Sequence, residues 1–205
     1  MAFEDYKTKE SVVVVYTGEG KGKTSASVGL MARALGNDWR VAFIQFIKHW
    51  NVGEHEFIHQ IQPLYKRKLL FYKGGKGFYN AGELSAKDVT PAQHKQAAQD
   101  TYNKALKAAT SGKFDLVICD EINNAVNHKL ITKKQLADLI KQRSAKTSLC
   151  LTGRDFPKDL LPKADIATNM TKLRHHFDKK YLANKGIDFW GHKICPPEKS
   201  CGSGG

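Results

Sequence analysis

Cysteine is scarce. Only four occur in 205 residues, at positions 119, 150, 195 and 201, too few and too spread for a disulfide scaffold. Cys119 and Cys150 lie inside apolar runs, where a buried, reduced thiol is expected. Long hydrophobic runs are missing too, since none approaches the roughly 20 apolar residues that a membrane span needs. The start MAFEDYKTKE is acidic and polar, without the basic segment and apolar stretch of a secretory leader. These absences point to a cytoplasmic protein with no membrane partner. Acidic residues are in deficit: 20 Asp+Glu against 33 Lys+Arg leave a net charge of +13. A basic surface recruits phosphate backbones. Here, however, the lysines are scattered rather than blocked, which favours a solvated surface with sites for polyphosphate over nucleic acid.

What is present is enough for a core: 41% of residues are hydrophobic, and no internal repeat interrupts them. Composition shifts only at the ends, so residues 1–190 read as one α/β domain and the Pro/Gly/Ser-rich 191–205 as a flexible tail. SVVVVYTG is a β-branched run long enough for a buried strand, and the glycines that follow stop it. Beyond them Val28, Met31, Ala32 and Leu35 recur at helical spacing, with Gly36 as the stop. RVAFIQFI (40–47) and, more weakly, KRKLLFY (66–72) read as further strands. Thr90 and Gln93 form a capping box with Pro91 at the first helical position, opening a helix whose inward face is Ala98, Thr101, Tyr102, Ala105 and Ala109. FDLVICDE (114–121) is a strand ending in two acids. A second capping box, Thr132 with Gln135, opens a helix facing inward through Leu136, Leu139 and Ile140. TSLCLTG (147–153) and ADIATNM (164–170) complete the strands. Short buried strands alternating with helices imply a mostly parallel sheet covered on both faces.

TGEGKGKT (17–24) lies between a strand and a helix, the setting a phosphate-binding loop requires. Glycines let backbone N–H groups turn toward an anion, and the helix N-terminus adds about half a positive charge. Thr17, Gly18, Glu19, Gly20, Lys21, Gly22, Lys23, Thr24 and Ser25 are therefore the candidate ATP-binding residues. Lys23 would reach the outer phosphates and the Thr24 hydroxyl would ligate Mg²⁺. The usual pattern begins with glycine; here it begins with Thr17. The carboxylates of Asp120 and Glu121, at the end of an apolar strand, supply the oxygen ligands that Mg²⁺ prefers. Arg154, in LTGR, closes another strand and should stand on the same edge of the sheet, able to clamp a phosphate or to make an ordinary surface ion pair. GGKGF (74–78) reads as a mobile loop presenting Phe78 and Tyr79 to a substrate, or as a plain connection. The adjacent His175 and His176 suggest metal, but no Cys or His partner stands at a familiar zinc spacing.

Together these pieces resemble the P-loop type of ATP:corrinoid adenosyltransferases. The likeness runs through YTGEGKGKTSAS (16–27), VAFIQFIK (41–48), GKGF (75–78), FDLVICDEINNAV (114–126), LTGR (151–154) and RHHFDKKYLANKGIDF (174–189). Threonine at the first loop position is itself a mark of that family. The resemblance implies a RecA-like P-loop α/β fold, a homodimer, and transfer of the 5′-deoxyadenosyl group of ATP to the Co(I) of a reduced corrinoid. A partner reductase would supply the electrons. It further implies Lys23 and Arg154 as catalytic groups, Thr24, Glu121 and Asp120 as Mg²⁺ ligands, and Phe78, Tyr79 and His175 at the corrinoid. Some members carry tryptophan two places after the aromatic, where this chain has Asn80. Two rival classes stay open on the residues alone: a P-loop nucleoside or small-molecule kinase, and a RecA-like ATPase binding nucleic acid.

Overall fold

The computed structural model describes residues 5–49, 51–77 and 89–188. The valine run forms β1 (Val13–Thr17), and the chain turns through the glycine loop into α1 (Lys23–Gly36). There follow β2 (Val41–Gln45), α2 (Gly53–Tyr65), β3 (Leu69–Lys73), α3 (Pro91–Thr110), β4 (Leu116–Asp120), the short α4 (Ile122–Asn127), α5 (Lys133–Gln142), β5 (Ser148–Thr152) and β6 (Ile166–Asn169). The strands form a six-stranded sheet in the order β3-β2-β4-β5-β1-β6. Every pairing in it is parallel. Parallel neighbours need long crossovers, which the helices supply. β5 lies between β1 and β4, so the glycine loop and the acidic strand end face each other across one intervening strand. This is a RecA-like P-loop α/β fold.

Period-two alternation divides the core in two. Val13, Val15, Ala42, Ile44, Val117, Cys119, Leu149 and Leu151 face α3, α4 and α5. Val14, Val41, Phe43, Leu116, Ile118 and Cys150 face α1 and α2. A strand buried on both faces must be apolar at every position, hence the continuous runs in the sequence. Each fully buried Leu, Ile, Phe or Met side chain contributes roughly 1.5–3 kcal/mol. Cys119 and Cys150 are free and buried, as their apolar settings suggest.

Both capping boxes form, at Thr90 with Gln93 and at Thr132 with Gln135. The inward face of α5 is the one read from spacing, and that of α3 holds the residues read there together with His94 and Ala108. On α1 one assignment is corrected. Ala32 is exposed, and the inward stripe is Ser27, Met31, Ala34 and Leu35. Alanine is small enough for either face, so it is a poor marker of helix phase.

α2 has no counterpart in the sequence reading. Its buried residues are His55 and Ile58, with Ile61 and Tyr65 packed against the same core. Pro63 lies inside the helix. The stripe is helical, but it begins on a histidine and carries a proline, and both features mask it. Residues 74–77 follow β3 and lie against β2, with Gly74 N–H donating to Gln45 O and Gly77 N–H to Ile47 O. Phe78, Tyr79 and the 191–205 tail lie outside the described residues. Among those described, no helix is long and apolar enough to cross a membrane.

Candidate active site

Thr17, Gln45, Asp120, Thr152 and Asn169 each end a strand. Because the sheet is parallel, all five stand at its carboxyl edge, where doubly covered sheets place their ligands. The glycine loop crosses this edge against the segment after β6. Gly20 N–H donates to Met170 O at 2.6 Å, and Met170 N–H to Thr17 O at 2.8 Å. Gly18 has φ +99°, and a Cβ built on Gly18 or Gly20 would stand 2.6 Å from Met170 O. Both positions therefore require glycine. The Thr17 hydroxyl accepts the Phe156 N–H at 3.1 Å. Glycine has no group for that bond, so the threonine ties the loop after β5 to the phosphate loop.

α1 begins at Lys23 without a side-chain cap, Gly22 standing before it at φ 103°. The first helical bond is Ala26 N–H to Gly22 O. The N–H groups of Lys23, Thr24 and Ser25 therefore have no acceptor within the helix, and they converge with the positive end of its dipole. The half-buried Lys23 ammonium donates to the carbonyls of Gly18 and Gly20, both at 2.6 Å. Burial, then the nearby Arg154, holds its pKa below the usual lysine value, against the pull of Glu19 and Glu121. Arg154 is exposed and pairs with Glu19 of the loop at 3.3 Å. Its backbone is fixed by Asn124 Oδ1, which accepts its N–H, and by Asn127, which donates to its carbonyl.

The acidic side of the site is a dense polar network. Asp120 is fully buried. Its oxygens accept from Thr24 at 3.1 and 3.2 Å, from Thr152 at 2.7 Å and from Gln45 at 2.8 Å. Lys48 donates to Thr24 Oγ1 at 3.3 Å and to Glu54 at 2.7 Å, and lies 3.9 Å from Asp120. Burial alone would lower the Lys48 pKa, but Asp120, Glu121 and Glu54 raise it. Glu121 sits in left-handed backbone at φ 62°, a conformation costing a non-glycine residue roughly 1–2 kcal/mol. Its N–H donates to Thr152 Oγ1, while its Oε2 is buried without a hydrogen-bond partner. Burial raises its carboxyl pKa to about 7, with Asp120 and Glu54 adding to the effect and Lys48 opposing it. A hydroxyl, a carboxylate already aimed at it, and an unpaired buried carboxylate oxygen are a donor set that fits a hard divalent cation.

Five members of this network, Gln45, Lys48, Glu54, His55 and Thr152, carry no role in the sequence reading. Gln45 carried the same signal as Asp120, a polar residue closing a buried strand. His55 is 1% exposed, in the first turn of α2, with Nε2 2.5 Å from Gln45 Oε1. Since Gln45 turns its NH₂ to a carboxylate, its carbonyl faces His55, so Nε2 carries a proton. Burial, reinforced by Lys73, lowers the His55 pKa from 6.5 to about 4. The folded value lies below the unfolded one, so the unfolded chain binds more protons across that interval and stability falls as pH drops through it. His55→Leu removes this term. Acidification from pH 7 to 4.5 should cost the wild type roughly 2 kcal/mol more than the variant in urea denaturation. Equal losses would contradict a neutral, buried His55.

His175 belongs to a different cluster. Its Nε2 lies 3.7 Å from Asp188 Oδ2, and His176 Nε2 lies 3.3 Å from the same oxygen. The three are close enough to hold an ion. However, His175 Nδ1 accepts the Phe177 N–H at 3.0 Å. That leaves His175 only its Nε2 to turn toward the carboxylate, and His176 Nε2 is buried without a hydrogen-bond partner. The bonds of His175 lie within the C-terminal segment and do not reach the phosphate loop.

Strand, glycine turn, lysine and buried acidic strand end define a P-loop nucleotide-binding protein. A model of the family described as ATP:corrinoid adenosyltransferase BtuR/CobO/CobP matches residues 9–189, and the chain belongs to that family. Its activity class is accordingly that of a corrinoid adenosyltransferase, which takes ATP and a corrinoid as substrates. A corrinoid adenosyltransferase of Sinorhizobium sp is 31% identical over 186 residues, covering 89% of this chain and 83% of the relative. That of Pseudomonas aeruginosa is 28% identical over 184 residues, covering 89% and 86%. That of Escherichia coli K12 is 26% identical over 184 residues, covering 88% and 87%. Among solved structures, the flagellar accessory protein FlaH from Methanocaldococcus jannaschii superposes with a TM-score of 0.51 at 15% identity, covering 78% of this chain and 71% of that one. That likeness concerns the fold alone.

Proposed function

We propose that the enzyme transfers the 5′-deoxyadenosyl group of ATP to the Co(I) of a reduced corrinoid and releases tripolyphosphate. The electron pair on cobalt forms the new Co–C5′ bond. The C5′–O bond breaks, and its pair leaves with the triphosphate. The observation that supports this reading is the convergence of Lys23, the open N–H groups of α1 and the Thr24–Asp120 pair on one edge of the sheet. They form a cradle for a polyanion. Its part is to hold the leaving group, since only interactions that strengthen as its charge develops lower the barrier.

Each residue then has a task. The N–H groups of residues 23–25 and the Lys23 ammonium bind the phosphates, and Lys23 exchanges its loop carbonyls for phosphate oxygens. Thr24 and Glu121, with Asp120 behind Thr24, would hold Mg²⁺, which when bound neutralises part of the triphosphate charge. Arg154 leaves Glu19 for the outer phosphates. Fixing the triphosphate fixes C5′ relative to the incoming cobalt, and this positioning replaces a protein nucleophile. The corrinoid side is assigned by family resemblance to Phe78, Tyr79 and His175. The same resemblance supplies the homodimer, the reductase that delivers Co(I), and a place in adenosylcobalamin synthesis or salvage.

Incubated without oxygen with Mg-ATP and a chemically reduced corrinoid, the protein is expected to form a light-sensitive alkylcobalt product. ADP without such a product would sink the proposal in favour of phosphoryl transfer.

A further inference from the structure

The first turn of α2 sends a neutral imidazole into the floor of the site. From there the contacts run in one line. His55 Nε2–H meets Gln45 Oε1 at 2.5 Å, and Gln45 Nε2–H donates to Asp120 Oδ2 at 2.8 Å. Asp120 in turn accepts the Thr24 hydroxyl at 3.1 and 3.2 Å. Gln45 and Asp120 are fully buried. His55 Nδ1 is buried without a partner, and the ring packs on Phe71 at 5.4 Å. A buried imidazole that leaves one nitrogen unsatisfied costs stability relative to an apolar residue of similar size. Packing alone therefore does not account for it.

We infer that His55 is a positioning residue: through Gln45 it orients the Asp120 carboxylate, and through Asp120 it sets the Thr24 hydroxyl for the divalent cation that accompanies ATP. The inference rests on the cation-site reading of Thr24, Asp120 and Glu121 given above. Three features support the relay. The Gln45 amide can satisfy two partners only in one orientation, with its carbonyl toward a donor and its NH₂ toward an acceptor. His55 supplies that donor without adding a charge, so Asp120 keeps its full negative charge toward Thr24. The relay also crosses from α2 through β2 and β4 to α1, elements locked together by the sheet and the core on its α1 and α2 face, so its groups cannot drift independently.

The test is equilibrium binding of ATP with and without Mg²⁺, by titration calorimetry on the full chain. His55→Leu keeps the bulk against Phe71 but removes the donor; His55→Gln keeps an N–H donor. His55→Leu should weaken binding in Mg²⁺ by about tenfold, the effect of roughly one lost buried hydrogen bond, while metal-free ATP binding stays within about twofold of wild type. His55→Gln should return most of the loss. Binding by His55→Leu within about twofold of wild type in Mg²⁺ would overturn the inference. So would an equal loss without Mg²⁺, the mark of a merely structural role. If His55→Leu fails to fold, Gln45→Met cuts the same relay at its middle and carries the same expectations. A wild-type affinity that does not respond to Mg²⁺ would instead overturn the cation-site reading, and the relay with it.

Discussion

Lys23→Ala is expected to lower kcat/KM for corrinoid adenosylation by about 10³-fold, the scale seen when one preorganised electrostatic donor is removed, with the far-UV circular dichroism unchanged. Its ammonium is held by the carbonyls of Gly18 and Gly20 at the mouth of the α1 N-terminus. The glycine turn itself is set by other bonds, from Gly20 and Met170 N–H and from Phe156 N–H to Thr17. Alanine therefore leaves the loop in place and removes only the mobile charge. On the proposed mechanism the triphosphate gains charge as the C5′–O bond breaks, so the loss should fall on kcat as well as on KM. Activity within a few-fold of wild type would remove Lys23 from the mechanism.

Asp120→Ala should be the most destabilising single change at the site, by about 3–5 kcal/mol, the usual cost of deleting one partner from a buried charge network. The carboxylate is fully buried and receives hydrogen bonds from Thr24, Gln45 and Thr152. Lys48 stands 3.9 Å away. Alanine leaves these donors facing one another without an acceptor. Asp120→Asn should cost less, because its oxygen can still accept from the Gln45 NH₂ while its own NH₂ turns to the Thr152 hydroxyl, which accepts as well as donates. Urea midpoints at neutral pH measure both effects. A loss below about 1 kcal/mol for Asp120→Ala would contradict the network as described.

The parts of this site that were legible in the sequence share a property: their signal is local. The glycine loop announces itself through glycine and lysine spacing, Asp120 through its place at the end of an apolar run, and α3 and α5 through capping boxes that the structure reproduces. What escaped depends on packing between distant segments. α2 is anchored by His55, a polar residue acting as a core residue, and hydrophobic periodicity cannot register it. The short α4 starts from Glu121 in left-handed backbone, without a capping side chain. Lys48 and Glu54 acquire meaning only when β2 lies beside β4. Thr17 departs from the usual loop glycine visibly in sequence, but the bond its hydroxyl accepts from Phe156 N–H joins segments too far apart for spacing to register. The histidine pair lacked its third member in sequence because Asp188 lies well downstream.

Whether the phosphates are leaving group or cargo is decided by the phosphorus products. With Mg-ATP and reduced corrinoid, phosphorus NMR of the quenched reaction should show intact tripolyphosphate, equal in amount to the light-sensitive alkylcobalt formed. ADP or orthophosphate accumulating in its place, with no adenosylated corrinoid, would contradict adenosyl transfer.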